Sequence, residues 1–146
     1  MKNMLLIFLV FMVSCGEQKD KKDPMQPQRA VTGEMDLLGS YILSQLRGKD
    51  ISFEQISLRI DTTRQEIMGN AGCNRFSIRY NATGKEISFQ DPVSTKMFCE
   101  GKMEREKEIM DLFSTISSVE MDEENVIFLD DNGDPVFRAK KTNERE

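Results

Sequence analysis

Alternation of apolar and polar residues with period two runs through this chain and restricts it to strands that have one dry face and one wet face. Ile56, Leu58 and Ile60 fall on one side of a strand, and Ser57, Arg59 and Asp61 on the other. Phe76, Ile78 and Tyr80 repeat the pattern against Arg75, Ser77 and Arg79. Ile87 and Phe89 continue it beyond Asn81-Ala82-Thr83-Gly84-Lys85, a hairpin-like turn in which Gly84 takes positive φ at little cost. Further on, Val126 to Leu129 and Val136 to Ala139 flank Asp130-Asp131-Asn132-Gly133-Asp134-Pro135, whose Asn-Gly pair suits a type I′ turn. With Tyr41 to Leu46, Glu66 to Gly69, Val93 to Phe98 and Ser118 to Met121, the pattern predicts about eight short strands in a folded part that begins near Leu37.

One segment departs from that period. Between Lys102 and Ile116, Met103, Met110 and Phe113 share a helical stripe that Ile109, Leu112 and Ile116 widen. The charged residues Lys102, Glu104, Arg105, Glu106, Lys107 and Glu108 fill its first turns and are expected on the wet side. Their signs are mixed, whereas a membrane-surface helix carries a basic polar face, so this helix is expected to pack on the sheet with Met103 and Met110 as core filler.

The N-terminus has a different character. Lys2 precedes the apolar run Met4 to Val13, and Ser14 and Cys15 follow. A helix of such a run rises about 15 Å, roughly half the hydrocarbon core of a bilayer, too little to span it. The run has the anatomy of a secretory signal. Val13-Ser14-Cys15 resembles the bacterial lipobox, with Met12 where leucine is usual. The resemblance implies cleavage after residue 14, lipidation of Cys15 with a diacylglycerol and palmitate, and a membrane partner reached through that lipid. Gly16, directly after the cysteine, is no obvious inner-membrane retention signal, so the outer membrane of a bacterial envelope is the expected address. From Cys15 to residue 32 the chain is charged and proline-containing, with little apolar surface to offset the entropy of ordering it. A flexible tether is expected there, and residues 33–146 remain as one domain.

Three cysteines are an awkward number for a secreted protein. If Cys15 is lipidated, Cys73 and Cys99 remain, either bridged in an oxidising compartment or as two buried thiols. A bridge would close a loop of 27 residues counted inclusively. Loop closure of that size is worth roughly 3.5 kcal/mol.

Charge and residue types exclude several functions. Without Lys2, 19 basic side chains face 25 acidic ones, a formal side-chain charge of −6, and no basic patch is interleaved with aromatics. Nucleic acid is therefore not an expected partner. The chain contains no histidine, which removes the commonest general base and rules out a Ser-His-Asp triad. Cys73 as a nucleophile would need a base, and Arg75 cannot accept a proton. The carboxylate pairs Asp130 with Asp131 and Glu123 with Glu124 could do acid and base work only if burial set them apart, and they fall in turns expected to be solvated. Placing Gly133 at the glycine of a calcium loop puts Phe128 and Ala139 at ligand positions, so the oxygens are missing. Asn81-Ala82-Thr83 matches a glycosylation sequon, but the turn explains it as well.

Two sequence elements point to a family. Gly69-Asn70-Ala71-Gly72-Cys73-Asn74-Arg75-Phe76, followed by Ser94-Thr95-Lys96-Met97-Phe98-Cys99 and a helix, resembles the META domain of HslJ-like bacterial envelope proteins. The resemblance covers residues 37–140. It implies a mainly β (α+β) fold, a small antiparallel and partly open barrel with one helix packed on it, and it favours the Cys73–Cys99 bridge. The chain departs from the family in having Tyr41 where a first-strand tryptophan is frequent, and Ile78 where a glycine often follows. Gly69 and Gly72 are expected to bracket a tight corner that needs positive φ or close backbone approach.

The function expected from all this is that of a non-catalytic, lipid-anchored envelope module without a cofactor. It would bind a protein, a lipid or another apolar ligand through the barrel interior or a sheet edge and support envelope integrity or stress resistance. The alternative is an envelope hydrolase that uses carboxylates or the Cys73 thiol. The oligomeric state is not legible.

Overall fold

The computed structural model describes residues 35–142. The signal of residues 1–14, Cys15 and the tether to residue 32 lie outside the described residues. The strands are β1 (Gly39–Leu46), β2 (Lys49–Asp50), β3 (Ser57–Asp61), β4 (Glu66–Asn70), β5 (Arg75–Thr83), β6 (Glu86–Phe89) and β7 (Val93–Ser94). After helix α1 (Met103–Leu112) and a 3-10 turn at Phe113–Thr115 come β8 (Ile116–Met121), β9 (Asn125–Asp130) and β10 (Pro135–Lys141).

The barrel is closed, where the sequence led us to expect a partly open one. Eight antiparallel strands run β10-β9-β8-β6-β5-β4-β3-β1, and β1 pairs back onto β10. The closure lies in β1, which is bonded on both flanks. Gly39–Ile42 face Ile60–Ser57 of β3, while Tyr41–Leu46 face Lys141–Phe137 of β10. The register against β10 shifts between Leu43 and Gln45, a bulge of the kind that bends a strand round a barrel. The extra residue is Ser44, whose hydroxyl donates to the Arg138 carbonyl at 3.0 Å. The thinnest seam joins β6 to β8, through the Glu86–Ser118 pair and a bond from the Val119 N–H to the Lys85 carbonyl at 2.8 Å.

The predicted alternation gives the core directly. Ile56, Leu58, Ile60, Phe76, Ile78, Tyr80 and Ile87 are all buried. β4 and β5 pair without a shift through Ile67 and Ile78, so no bulge stands where the family often has glycine. The 3-10 turn carries Phe113 into the interior, with ring centroids 5.1 Å from Phe137, 5.2 Å from Phe89 and 5.7 Å from Phe76. Phe128 packs on Phe89 and Phe137. Rings therefore fill an eight-stranded barrel whose bore is only wide enough for side chains.

Three local expectations are corrected. The helix ends at Leu112, and Ile116 opens β8. Of its predicted stripe, Ile109, Leu112 and Phe113 are buried, but Met103 is exposed and Glu106 is buried. The hairpin at Asp130–Pro135 is not type I′: that turn needs two positive φ angles, and only Gly133 has one, with its N–H bonded to the Asp130 carbonyl. The Asp130 carboxylate accepts the N–H groups of Asn132 and Asp134 and so shapes the turn.

Candidate functional site

The two sequence elements meet at one corner of the barrel. Cys73 and Cys99 are joined by a disulfide across a Cα separation of 6.1 Å. On the Cys73 side, the chain leaves β4 at Asn70 and enters β5 at Arg75. The two glycines serve this corner for different reasons. A Cβ on Gly69 would lie 2.2 Å from the Ser57 carbonyl oxygen and 2.8 Å from the Phe76 ring, so only hydrogen fits between the strands. Gly72 has φ +107°, in the left-handed region that side chains disfavour. The Asn70 side chain accepts the Gly72 N–H at 2.8 Å.

Asn74 organises the other side. Its side-chain oxygen accepts the Met97 N–H at 2.8 Å and the Thr95 hydroxyl at 2.7 Å, while its amide donates to the Met97 carbonyl at 3.0 Å. The side chain thereby treats Met97 as a neighbouring strand would, bonding both its N–H and its C=O. That is why the strand predicted over Val93 to Phe98 shrinks to Val93–Ser94: a side chain substitutes for the ladder. The Glu106 carboxylate, reaching in from α1, accepts the Asn74 N–H at 3.2 Å and its side-chain amide at 3.0 Å. Asn74 and Glu106 are both buried. The sequence reading left Glu106 on the wet side of the helix. Its spacing to Ile109, Met110 and Phe113 would have placed it on the dry stripe, where a buried carboxylate needs donors.

Around this core lies an open rim. Lys102 Nζ donates to the Gly72 carbonyl at 3.0 Å, and Arg105 Nε pairs with Glu54 at 3.0 Å. A cavity of about 420 Å³ opens beside them, lined by Phe53, Glu54, Ala71, Gly72, Lys102 and Arg105 among others. Phe53 is 77% exposed, Phe98 83% and Met97 56%. Met103 adds a partly exposed thioether, which accepts the Cys99 N–H at 3.5 Å. Nothing in the sequence pattern marks Phe53, which sits alone in a 3-10 turn.

The remaining candidates do not converge. Bonded to Cys99, Cys73 carries no thiol. Asp131, Glu123 and Glu124 are exposed, and Glu124 pairs with Lys140 at 3.0 Å. Among the described residues, no group of three or more Cys, Asp or Glu side chains is arranged to hold a metal.

A closed eight-stranded antiparallel barrel with one helix and a glycine-lined corner pinned by one disulfide defines a small β module. The chain belongs to the META domain family, whose model matches residues 35–143. Two solved structures share the fold. One is the NMR structure of a protein from Burkholderia xenovorans, 22% identical with a TM-score of 0.57, covering 84% of this chain and 100% of that one. The other, also by NMR, is 17% identical with a TM-score of 0.55, covering 70% of this chain and 88% of that one. No curated protein matches the chain.

Proposed function

We propose that the protein is a non-catalytic, lipid-anchored module of a bacterial envelope whose working surface is the disulfide-pinned corner. The observation that carries the reading is the contrast between interior and rim. The bore is filled by packed rings, whereas Phe53, Met97 and Phe98 stand in water on a backbone held from several sides. Large apolar side chains held outward on a stiff platform are what a docking surface requires. The signal-like run that ends at Cys15 supports a lipid anchor on that cysteine, and stress protection of the envelope is the role that the family resemblance favours. An outer-membrane address belongs to the same proposal.

Metabolic labelling with a palmitate analogue followed by membrane fractionation tests the anchor. The native chain is expected to carry the label and sediment with membranes, and Cys15→Ser to lose the label. An unlabelled native chain, or a Cys15→Ser variant that still carries the label, overturns it.

A further inference from the structure

We propose that the loop from Lys96 to Lys102, with Phe53 beside it, is a shallow insertion element that seats the barrel on an anionic lipid surface. This names the partner of the surface just described and rests on that surface being the working face. It does not depend on acylation.

Three observations carry it. First, the apolar side chains are presented, not merely loose. Met97 is held through both its N–H and its carbonyl by Asn74, Cys99 is covalently tied to Cys73, and Lys102 holds the Gly72 carbonyl. Phe98, between the tied residues, is 83% exposed. Second, the charge near the tip runs against the charge of the whole chain, formally −5. Lys96 and Lys102 face one carboxylate in the loop, Glu100; Arg75 of β5 adjoins it, accepting the Thr95 N–H at its carbonyl and donating its own N–H to the Thr95 hydroxyl, while Glu54 beside Phe53 is paired with Arg105. Glu104 of α1 lines a different concavity with Arg47, Lys107 and Asp111. Third, the residue types match an interface. Phenylalanine and methionine give apolar depth, while lysine stems lie along the apolar layer with their ammonium groups among headgroup phosphates. Each cation near an anionic surface adds attraction that salt screens.

The test uses residues 33–146, which lack Cys15 and the leader. Among the described residues the buried core lies wholly within Leu37–Ala139, inside this span. The chain contains no tryptophan, so Phe98→Trp provides a single fluorophore, and Met121→Trp on β8 provides the control. With phosphatidylglycerol-containing vesicles at low salt, the F98W emission is expected to shift to the blue and to be quenched by lipids brominated in their chains, while M121W stays unchanged. Partition should fall about tenfold with Lys96→Glu. It should fall by at least about tenfold when Met97 and Phe98 are both replaced by serine. The proposal is overturned if F98W is unmoved by anionic vesicles, if it responds equally to zwitterionic ones, or if both reporters respond alike. A shift that appears without vesicles as protein concentration rises would assign the surface to a second copy instead and also overturns it. Because this span carries no lipid, its failure leaves the Cys15 anchor untouched.

Discussion

One oxygen of Glu106 accepts two hydrogen bonds from Asn74, from its main-chain N–H at 3.2 Å and from its side-chain amide at 3.0 Å. The helix is thereby fastened to the corner 32 residues earlier in the chain. Glu106→Ala strands two buried donors, and each such loss costs roughly 1–3 kcal/mol. Denaturant unfolding is expected to show a loss of about 2–4 kcal/mol, against about 1 kcal/mol for Glu106→Gln, which keeps an accepting oxygen. Equal losses in the two variants would count against the hydrogen-bonding role.

Asn74 and the disulfide hold the same loop by different means, and hydrogen exchange separates them. In the Cys73→Ser/Cys99→Ser double variant the Met97 amide is expected to stay protected, because Asn74 still accepts it. Asn74→Ala should leave that amide fast-exchanging with the disulfide intact. Losing the bridge should lower global stability by roughly 3.5 kcal/mol, since its constraint acts mainly on the unfolded chain.

Gly69 has no room for a side chain. With the Ser57 carbonyl 2.2 Å from the position of a Cβ, Gly69→Ala requires β3 and β4 to separate. A destabilisation of about 3 kcal/mol or more is expected, well above the cost of an alanine that merely meets flexible atoms. Thermal melts of Gly69→Ala beside Gly48→Ala, where nothing lies within 4 Å, make the comparison, with the latter's cost confined to its positive φ. Similar losses at the two sites would contradict the close approach.

Tyr41 gives an alkaline signature. Burial first, and the nearby Asp36 carboxylate second, push its phenol up to about 12 from an ordinary value of 10.0. The folded state thus keeps this proton longer than the unfolded chain does. Stability from this residue is complete below about pH 10 and declines as pH climbs toward 12. Tyr41→Phe removes that decline while giving up the bond from its hydroxyl to the Leu37 carbonyl at 2.9 Å. Unfolding free energies at a series of alkaline pH values, native against Tyr41→Phe, check it: parallel curves would refute the assignment.

Much of the barrel was readable before any coordinates. Period-two alternation put Leu58, Ile60, Phe76, Ile78 and Tyr80 inside, because burial along a strand depends on local order alone. Closure was not readable, since it turns on β1 bonding β3 and β10 at once, a relation between residues nearly a hundred positions apart. A separation of 32 residues likewise hid the tie between Glu106 and Asn74, although the helical stripe of Ile109 and Phe113 pointed toward it. The strand over Val93 to Phe98 was overestimated because its ladder partner is an amide side chain, which no alternation pattern reveals. The glycines of the corner were anticipated as a pair, and only geometry divided them into one steric and one conformational requirement.

The double bonding of β1 has a mechanical side. The described chain enters the barrel just ahead of this strand, and the last strand lies along its other edge. A pull transmitted from the N-terminal end would load the ladders to β3 and β10 together, in shear, instead of peeling one edge open pair by pair. A body held from that end in a moving, crowded surround would resist being unravelled from its point of attachment.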